Sequence, residues 1–142
     1  MRLLALSGTL RTASTNTALL HAFARAAALE VTVQVWAGLA DLPASNPDLA
    51  EDATPAAVLV FATAVAAADW LVVACPEYVY ALPGAFKKAL DWLVSRPELL
   101  GKPIALIHAS HRGEDVLTDL RRVLATVSDG FAPEVFARFP QR

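Results

Sequence analysis

The stretch Ser7-Gly-Thr-Leu-Arg-Thr-Ala-Ser-Thr-Asn-Thr17 follows the apolar run Leu3–Leu6 and opens an amphipathic helical pattern. A strand that delivers a loop to a helix start gathers unpaired backbone N–H groups and the positive end of the helix dipole at one point. Hydroxyl side chains, the amide of Asn16 and the guanidinium of Arg11 surround that point, and no acid does. The segment reads as an anion cradle at the end of a β-strand.

Outward from it, short apolar runs alternate with helical patterns about every thirty residues, which predicts an α/β doubly wound parallel sheet. Strands are expected near 2–7, 31–36, 69–75, 102–109 and 131–138, each dense in Leu, Val, Ile or Phe as a strand covered on both faces requires. Helices are expected near 16–29, 54–68, 84–95 and 114–126. The first sets Leu19, Leu20, Phe23 and Ala27 on one side and His21 and Arg25 on the other. The third keeps Phe86, Ala89, Leu90 and Leu93 for the core and turns Lys87, Lys88, Asp91 and Ser95 to water, while the fourth buries Val116, Leu117, Leu120, Val123 and Leu124. The second differs, because Val58, Leu59, Val60, Phe61 and Val65 spread around most of its circumference. That pattern points to a subunit interface, or else to an ordinary amphipathic helix diluted by alanine. The sequence runs only to Arg142, just past the last strand, where a five-stranded doubly wound sheet normally adds a covering helix; a partner subunit is expected to supply that cover.

Composition narrows the function classes. A chain of 142 residues is expected to form one domain, residues 1–142, with a sizeable core. Its hydrophobic fraction is 56%, yet no apolar run approaches the ~20 residues of a membrane span. Lys and Arg total 12 against 14 Asp and Glu, so there is no overall basic field for nucleic acid. Met1–Leu6 carries one charge and is too short for the apolar region of a signal peptide, so a cytoplasmic location is expected. Cys75 is the single cysteine, which excludes a disulfide framework and a CxxC metal pair.

In open parallel sheets ligands bind beyond the carboxyl ends of the strands, here at the loops 7–16, 75–84 and 108–113. The first loop has neither the GxGxxG of a dinucleotide site nor the Gly-Lys-[Ser/Thr] of a P-loop. It also lacks the acids of a receiver domain. What remains suits a monophosphate of about −1.5 to −2 charges, gripped by Arg11 and hydrogen-bonded by Thr9, Ser14 and Asn16. The competing reading is that Ser14 or Thr15 is simply an N-cap. In the second loop, Pro76-Glu-Tyr-Val-Tyr-Ala-Leu-Pro-Gly84 forms a stiff, flat-sided wall that suits a planar ring, or a rigid turn whose tyrosines close the core. His108 is expected to be packed and satisfied at a strand end, and His111 and Arg112 either face a substrate or sit in a solvated loop. Cys75 reads as a small buried thiol, since Ala81 stands where a phosphatase would need arginine. No nucleophile–base set, paired carboxylates or metal-ligand cluster is visible, so no catalytic side chain and no metal are assigned.

Taken together, Ser7–Asn16, Pro76-Glu-Tyr-Val-Tyr-Ala-Leu-Pro-Gly-Ala-Phe-Lys-Lys-Ala-Leu-Asp-Trp92 and Gly101-Lys-Pro-Ile104 resemble the NADPH-dependent FMN reductase family of flavodoxin-like proteins. Asp41-Leu-Pro-Ala-Ser-Asn-Pro-Asp48 is similar to that family's second-strand loop. The resemblance implies a sheet order of 2-1-3-4-5 and non-covalent FMN reduced by NADPH or NADH. It also implies a second acceptor such as free flavin, a quinone or an azo compound. By position, Thr9, Arg11, Ser14, Thr15 and Asn16 would hold the FMN phosphate. Pro76, Glu77, Tyr78 and Val79 would line the isoalloxazine, largely through backbone groups, with Ser110 from the third loop. Hydride transfer between two stacked rings asks mainly for positioning, so ionisable catalytic groups are not required. A homodimer or homotetramer is expected. The chain departs from the family with Val79 in place of the usual asparagine, without the glycine pair often found in 108–113, and without the final helix. The alternative function is an FMN-binding carrier, sensor or interaction module without turnover.

Overall fold

The computed structural model describes residues 1–49 and 51–140. Among them five strands alternate with four helices: β1 (Arg2–Ser7), α1 (Thr15–Ala26), β2 (Thr32–Trp36), α2 (Ala56–Ala67), β3 (Trp70–Ala74), α3 (Gly84–Leu93), β4 (Ile104–His108), α4 (Glu114–Val127) and β5 (Phe131–Arg138). The strands form one parallel sheet of order β2-β1-β3-β4-β5, as the sequence pattern and the resemblance led us to expect. The chain reverses direction across the sheet between β1 and β3, which opens a crevice at their carboxyl ends.

Period-two alternation in the strands divides the core. Leu4 and Leu6 of β1, Leu71 and Val73 of β3 and Ile104 and Leu106 of β4 face α2, α3 and α4, together with Phe61, Phe86 and Leu120. Leu3, Ala5, Val72, Ala74 and Ile107 point the other way, against Leu20 of α1. Phe61 and Phe86 are each 1% exposed, so each contributes roughly 1.5–3 kcal/mol of transfer free energy. The turn Leu39–Asp41 and Leu42 close this larger core from the side, held by Trp92 Nε1 donating to Pro43 O at 2.8 Å.

Two helices end earlier than their patterns suggest, each for a local reason. α1 stops at Ala26, and Ala27 turns extended (φ −64, ψ 145) because the chain must reach β2 within a few residues, through a Val31 N–H bond to Ala28 O. Ala27 is therefore a cap, not an interior position. α3 stops at Leu93 and leaves Ser95 beyond it, since Pro97 forces Arg96 out of the helical region (φ −113, ψ 151). α2 buries Val58, Phe61, Ala62 and Val65 but leaves Leu59 and Val60 45% and 58% exposed, so within this chain it is covered on one side.

At the amino end of the sheet, Asp69 locks β1 to β3. Its N–H donates to Arg2 O at 2.8 Å and its carboxylate accepts the Arg2 N–H at 2.6 Å, which holds the Asp69 carboxyl below the usual aspartate range. At the far edge β5 pairs with β4 alone, and its ladder is interrupted: Ile104 pairs with Phe131, but Leu106 pairs with Phe136. The segment between them bulges and carries Pro133 and Glu134.

Candidate functional site

Three loops converge at the carboxyl end of the sheet, and close backbone packing begins with Gly8. Its N–H donates to Ala74 O at 2.9 Å, and a Cβ on Gly8 would stand 2.3 Å from Cys75 Sγ. No other residue fits between β1 and the end of β3 there. Cys75 is consequently sealed, 1% exposed, and burial pushes its thiol pKa far up, as expected of an inert small side chain.

The cradle 9–16 divides into satisfied and unsatisfied groups. Ser14 caps α1, its Oγ accepting the Thr17 N–H at 3.3 Å, so the N-cap reading of this serine is realised. Thr9, 8% exposed, accepts the Arg11 N–H at 3.1 Å and shares a hydrogen bond of 2.9 Å with the Tyr78 hydroxyl. Asn16 is 6% exposed, yet its Oδ1 has no partner among the described residues. A buried amide with unused hydrogen-bonding capacity in the first turn of a helix is costly unless something else meets it. Thr15 starts the helix in the open, and the Arg11 guanidinium is exposed with no ion pair among the described residues. No acid lies in the first turn of α1. The result is an electropositive rim of the Arg11 guanidinium, hydroxyls and helix N-terminal N–H groups, a donor set that fits a phosphate, while the idle Asn16 Oδ1 is an acceptor that calls for a donor.

In the second loop, Tyr78 and Ala81 exchange both backbone hydrogen bonds at 3.0 Å, closing a two-residue turn. Its central residues, Val79 (φ 51) and Tyr80 (φ 59), both lie in the left-handed region. A type I′ turn requires that geometry and normally uses Asn-Gly for it, so a β-branched residue there is a genuine outlier. Val79 and Tyr80 are 94% and 76% exposed, and Tyr78 is 47% exposed. The tyrosines do not close the core; Tyr78 stands on Thr9 and Tyr80 projects from the tip. Pro76 is half-buried at the foot of this wall.

Glu77 has a side-chain role beyond the backbone lining that the resemblance implies. Its Oε2 accepts the N–H of Val116 at 3.1 Å, in the first turn of α4. That helix has no cap of its own, because its N-cap is Gly113, left-handed at φ 100. Gly113 is required twice over, since a Cβ there would also meet His108 Nε2 at 2.6 Å. His108, 2% exposed, sits 2.7 Å from Arg112 O through Nε2, so the proton resides on Nε2 and closes the loop on itself. Its Nδ1 has no partner among the described residues, so the histidine is packed but only half satisfied. Ser110 spends its Oγ accepting the Arg112 N–H at 3.0 Å. His111 and Arg112 are exposed, and Arg138 donates to His111 O and pairs with Glu114.

The structure thus ties Thr9, Glu77 and Tyr78 into one frame, with Asn16 buried beside it. Arg11, Thr15 and Val79 remain exposed, and Ser110 braces its own loop. Among the described residues no group of His, Cys, Asp and Glu could hold a metal ion, and no helix is long and apolar enough to cross a membrane.

A family profile described as NADPH-dependent FMN reductase matches residues 1–138. The chain is 34% identical over 116 residues to a quinone reductase of Escherichia coli (strain K12), covering 80% of this chain and 61% of that protein. It is 35% identical over 112 residues to an NAD(P)H-dependent FMN reductase of Pseudomonas aeruginosa, covering 78% and 60%. The chain spans about three fifths of the length of these curated relatives. Among solved structures, a flavoenzyme NAD(P)H:(acceptor) oxidoreductase from Paracoccus denitrificans superposes with a TM-score of 0.79 at 27% identity, covering 92% of this chain and 74% of that one.

Proposed function

Because this chain belongs to the NADPH-dependent FMN reductase family, we propose that it binds FMN at the carboxyl end of its sheet and uses NADPH or NADH to reduce an acceptor. The acceptor class is free flavin, a quinone or an azo compound. The observation that carries this reading is the acid-free start of α1, where the exposed Arg11 guanidinium, free of any ion pair among the described residues, stands with Thr9, Ser14, Thr15 and Asn16 around the helix N-terminus. Those residues would hold the phosphate, Arg11 by charge and the others by hydrogen bonds. Pro76, Glu77, Tyr78 and Val79 would flank the isoalloxazine, with Ser110 at the third loop. FMN, when bound, supplies the hydride-accepting and electron-donating chemistry that protein side chains lack.

The chain's own work is positioning. The Thr9–Tyr78 hydrogen bond keeps the phosphate loop and the ring wall in register, and the apolar seal of Gly8 on Cys75 keeps water from beneath them. The exposed Leu59 and Val60 of α2, a helix with no charge in its first or last turn, support a homodimer or homotetramer assembled partly through that face. The cytoplasm is the proposed location.

Anaerobic titration tests the reading. A yellow preparation that bleaches on NADPH addition is the expected outcome. A yellow protein that NADPH leaves oxidised would make it an FMN carrier, and a colourless protein that refuses added FMN would overturn both.

A further inference from the structure

α4 has no acceptor of its own for its first turn. Gly113 brings no side chain, and the N–H of Val116, whose side chain is fully buried, is met by Glu77 from a loop 39 residues earlier. The next residue, Tyr78, is anchored to Thr9. Consecutive residues of one loop therefore reach out to two different neighbours. The two residues after them, Val79 and Tyr80, adopt left-handed backbone conformations that their own side chains disfavour, and their exposure shows that packing does not repay the strain. A locally unfavourable turn persists only where its surroundings over-determine it. Beyond the turn's own Tyr78–Ala81 pair, the phenol on Thr9 and the packing of Leu82 against the core on the far side, the cap on α4 is the side-chain hydrogen bond that ties the near side of the turn to a core helix.

We infer that Glu77 is a positioning residue: by capping α4 it holds the Tyr78–Ala81 turn in the conformation that walls the ring site. This rests on the FMN reading for the identity of the ring, whereas the mechanical link does not. The carboxylate does not need to touch the ligand. It fixes the backbone groups of residues 77–80 by linking them to a helix whose Leu117, Leu120 and Leu124 belong to the core.

Amide hydrogen exchange and FMN titration of the whole chain test this with Glu77→Ala and Glu77→Gln. Protected amides of β1 and β3 serve as the internal check that each variant is folded. In Glu77→Ala, exchange at Val116 and at the paired amides of Tyr78 and Ala81 is expected to accelerate together, roughly 5- to 30-fold. FMN affinity is expected to fall by a similar factor. Glu77→Gln, which keeps a side-chain acceptor, should restore most of both. Accelerated exchange at Val116 with Tyr78 and Ala81 unchanged would reduce Glu77 to a cap and overturn the inference. Loosened turn amides with unchanged FMN affinity would overturn its functional half. If the wild-type chain binds no FMN while the three amides still respond together, the mechanical link stands and the flavin reading fails.

Discussion

Replacing Val79 by asparagine should stabilise the protein. Val79 sits at φ 51 with 94% of its surface exposed, so the substitution forfeits almost no burial. Left-handed backbone costs an L-residue about 1–2 kcal/mol, and a β-branched residue pays at the upper end. Asparagine tolerates the region far better, so relief of about 1 kcal/mol is expected from Val79→Asn. For a domain of this size that corresponds to a rise in Tm of about 3–4 °C. Glycine removes the strain entirely but adds freedom to the unfolded chain, at a cost of roughly 0.5–1 kcal/mol, so Val79→Gly should fall below the asparagine variant. Alanine keeps a Cβ and should recover only the part due to branching. Thermal unfolding without added ligand gives the ranking directly, since bound ligand would shift every Tm. A Val79→Asn protein no more stable than wild type would refute the strain argument.

Arg11→Ala should weaken FMN binding about 10- to 100-fold, the worth of a charge-assisted hydrogen bond, while Tm stays put because the guanidinium is exposed; equal affinity by fluorescence titration would remove Arg11 from the phosphate site. Gly113→Ala combines a disfavoured φ with a clash on His108, and chemical denaturation should show a loss of about 1–3 kcal/mol or more. Stability should decline on acidification through the carboxylate range. Asp69 is held low by the Arg2 amide; at Glu98 burial pulls upward but the Arg96 fork and its own backbone N–H outweigh it. Carboxyls depressed in the folded state contribute above their unfolded pKa and lose that contribution as pH falls through the folded value. Asp69→Asn should therefore flatten the acid limb of a Tm-versus-pH curve. Cys75 should resist alkylation at pH 8 until the fold opens, and Gly8→Ala, which drives a methyl toward Sγ, should speed the reaction; rapid labelling of the wild type would contradict the seal.

The strands and helices were legible because their signal is local. Leu3–Leu6, Leu71–Ala74 and Ile104–Ile107 are apolar on both faces, and α4 carries its stripe at helical spacing. The three loops at the carboxyl end of the sheet followed from the alternation alone. What the chain does not advertise are pairings between distant side chains. Nothing around Glu77 or Val116 signals that one caps the other, though a glycine just before the acidic start of α4 hints that this helix lacks a cap of its own. The turn at Val79-Tyr80 was hidden for the opposite reason: its residues contradict the conformation they adopt, so propensity points away from it. His108 looked like a satisfied core residue, and only the fold shows that one of its ring nitrogens is idle.

The bulged outer strand also bears on how these molecules behave in a crowd. β5 is the border of the sheet on one side, and a straight border strand is a template for a neighbouring chain's strand. Here the ladder breaks between Phe131 and Phe136, Pro133 has no N–H to offer, and Glu134 adds a charge in the same short span. An incoming strand finds no continuous row of donors and acceptors to extend. The border at β5 is therefore a poor template for a neighbouring chain's strand.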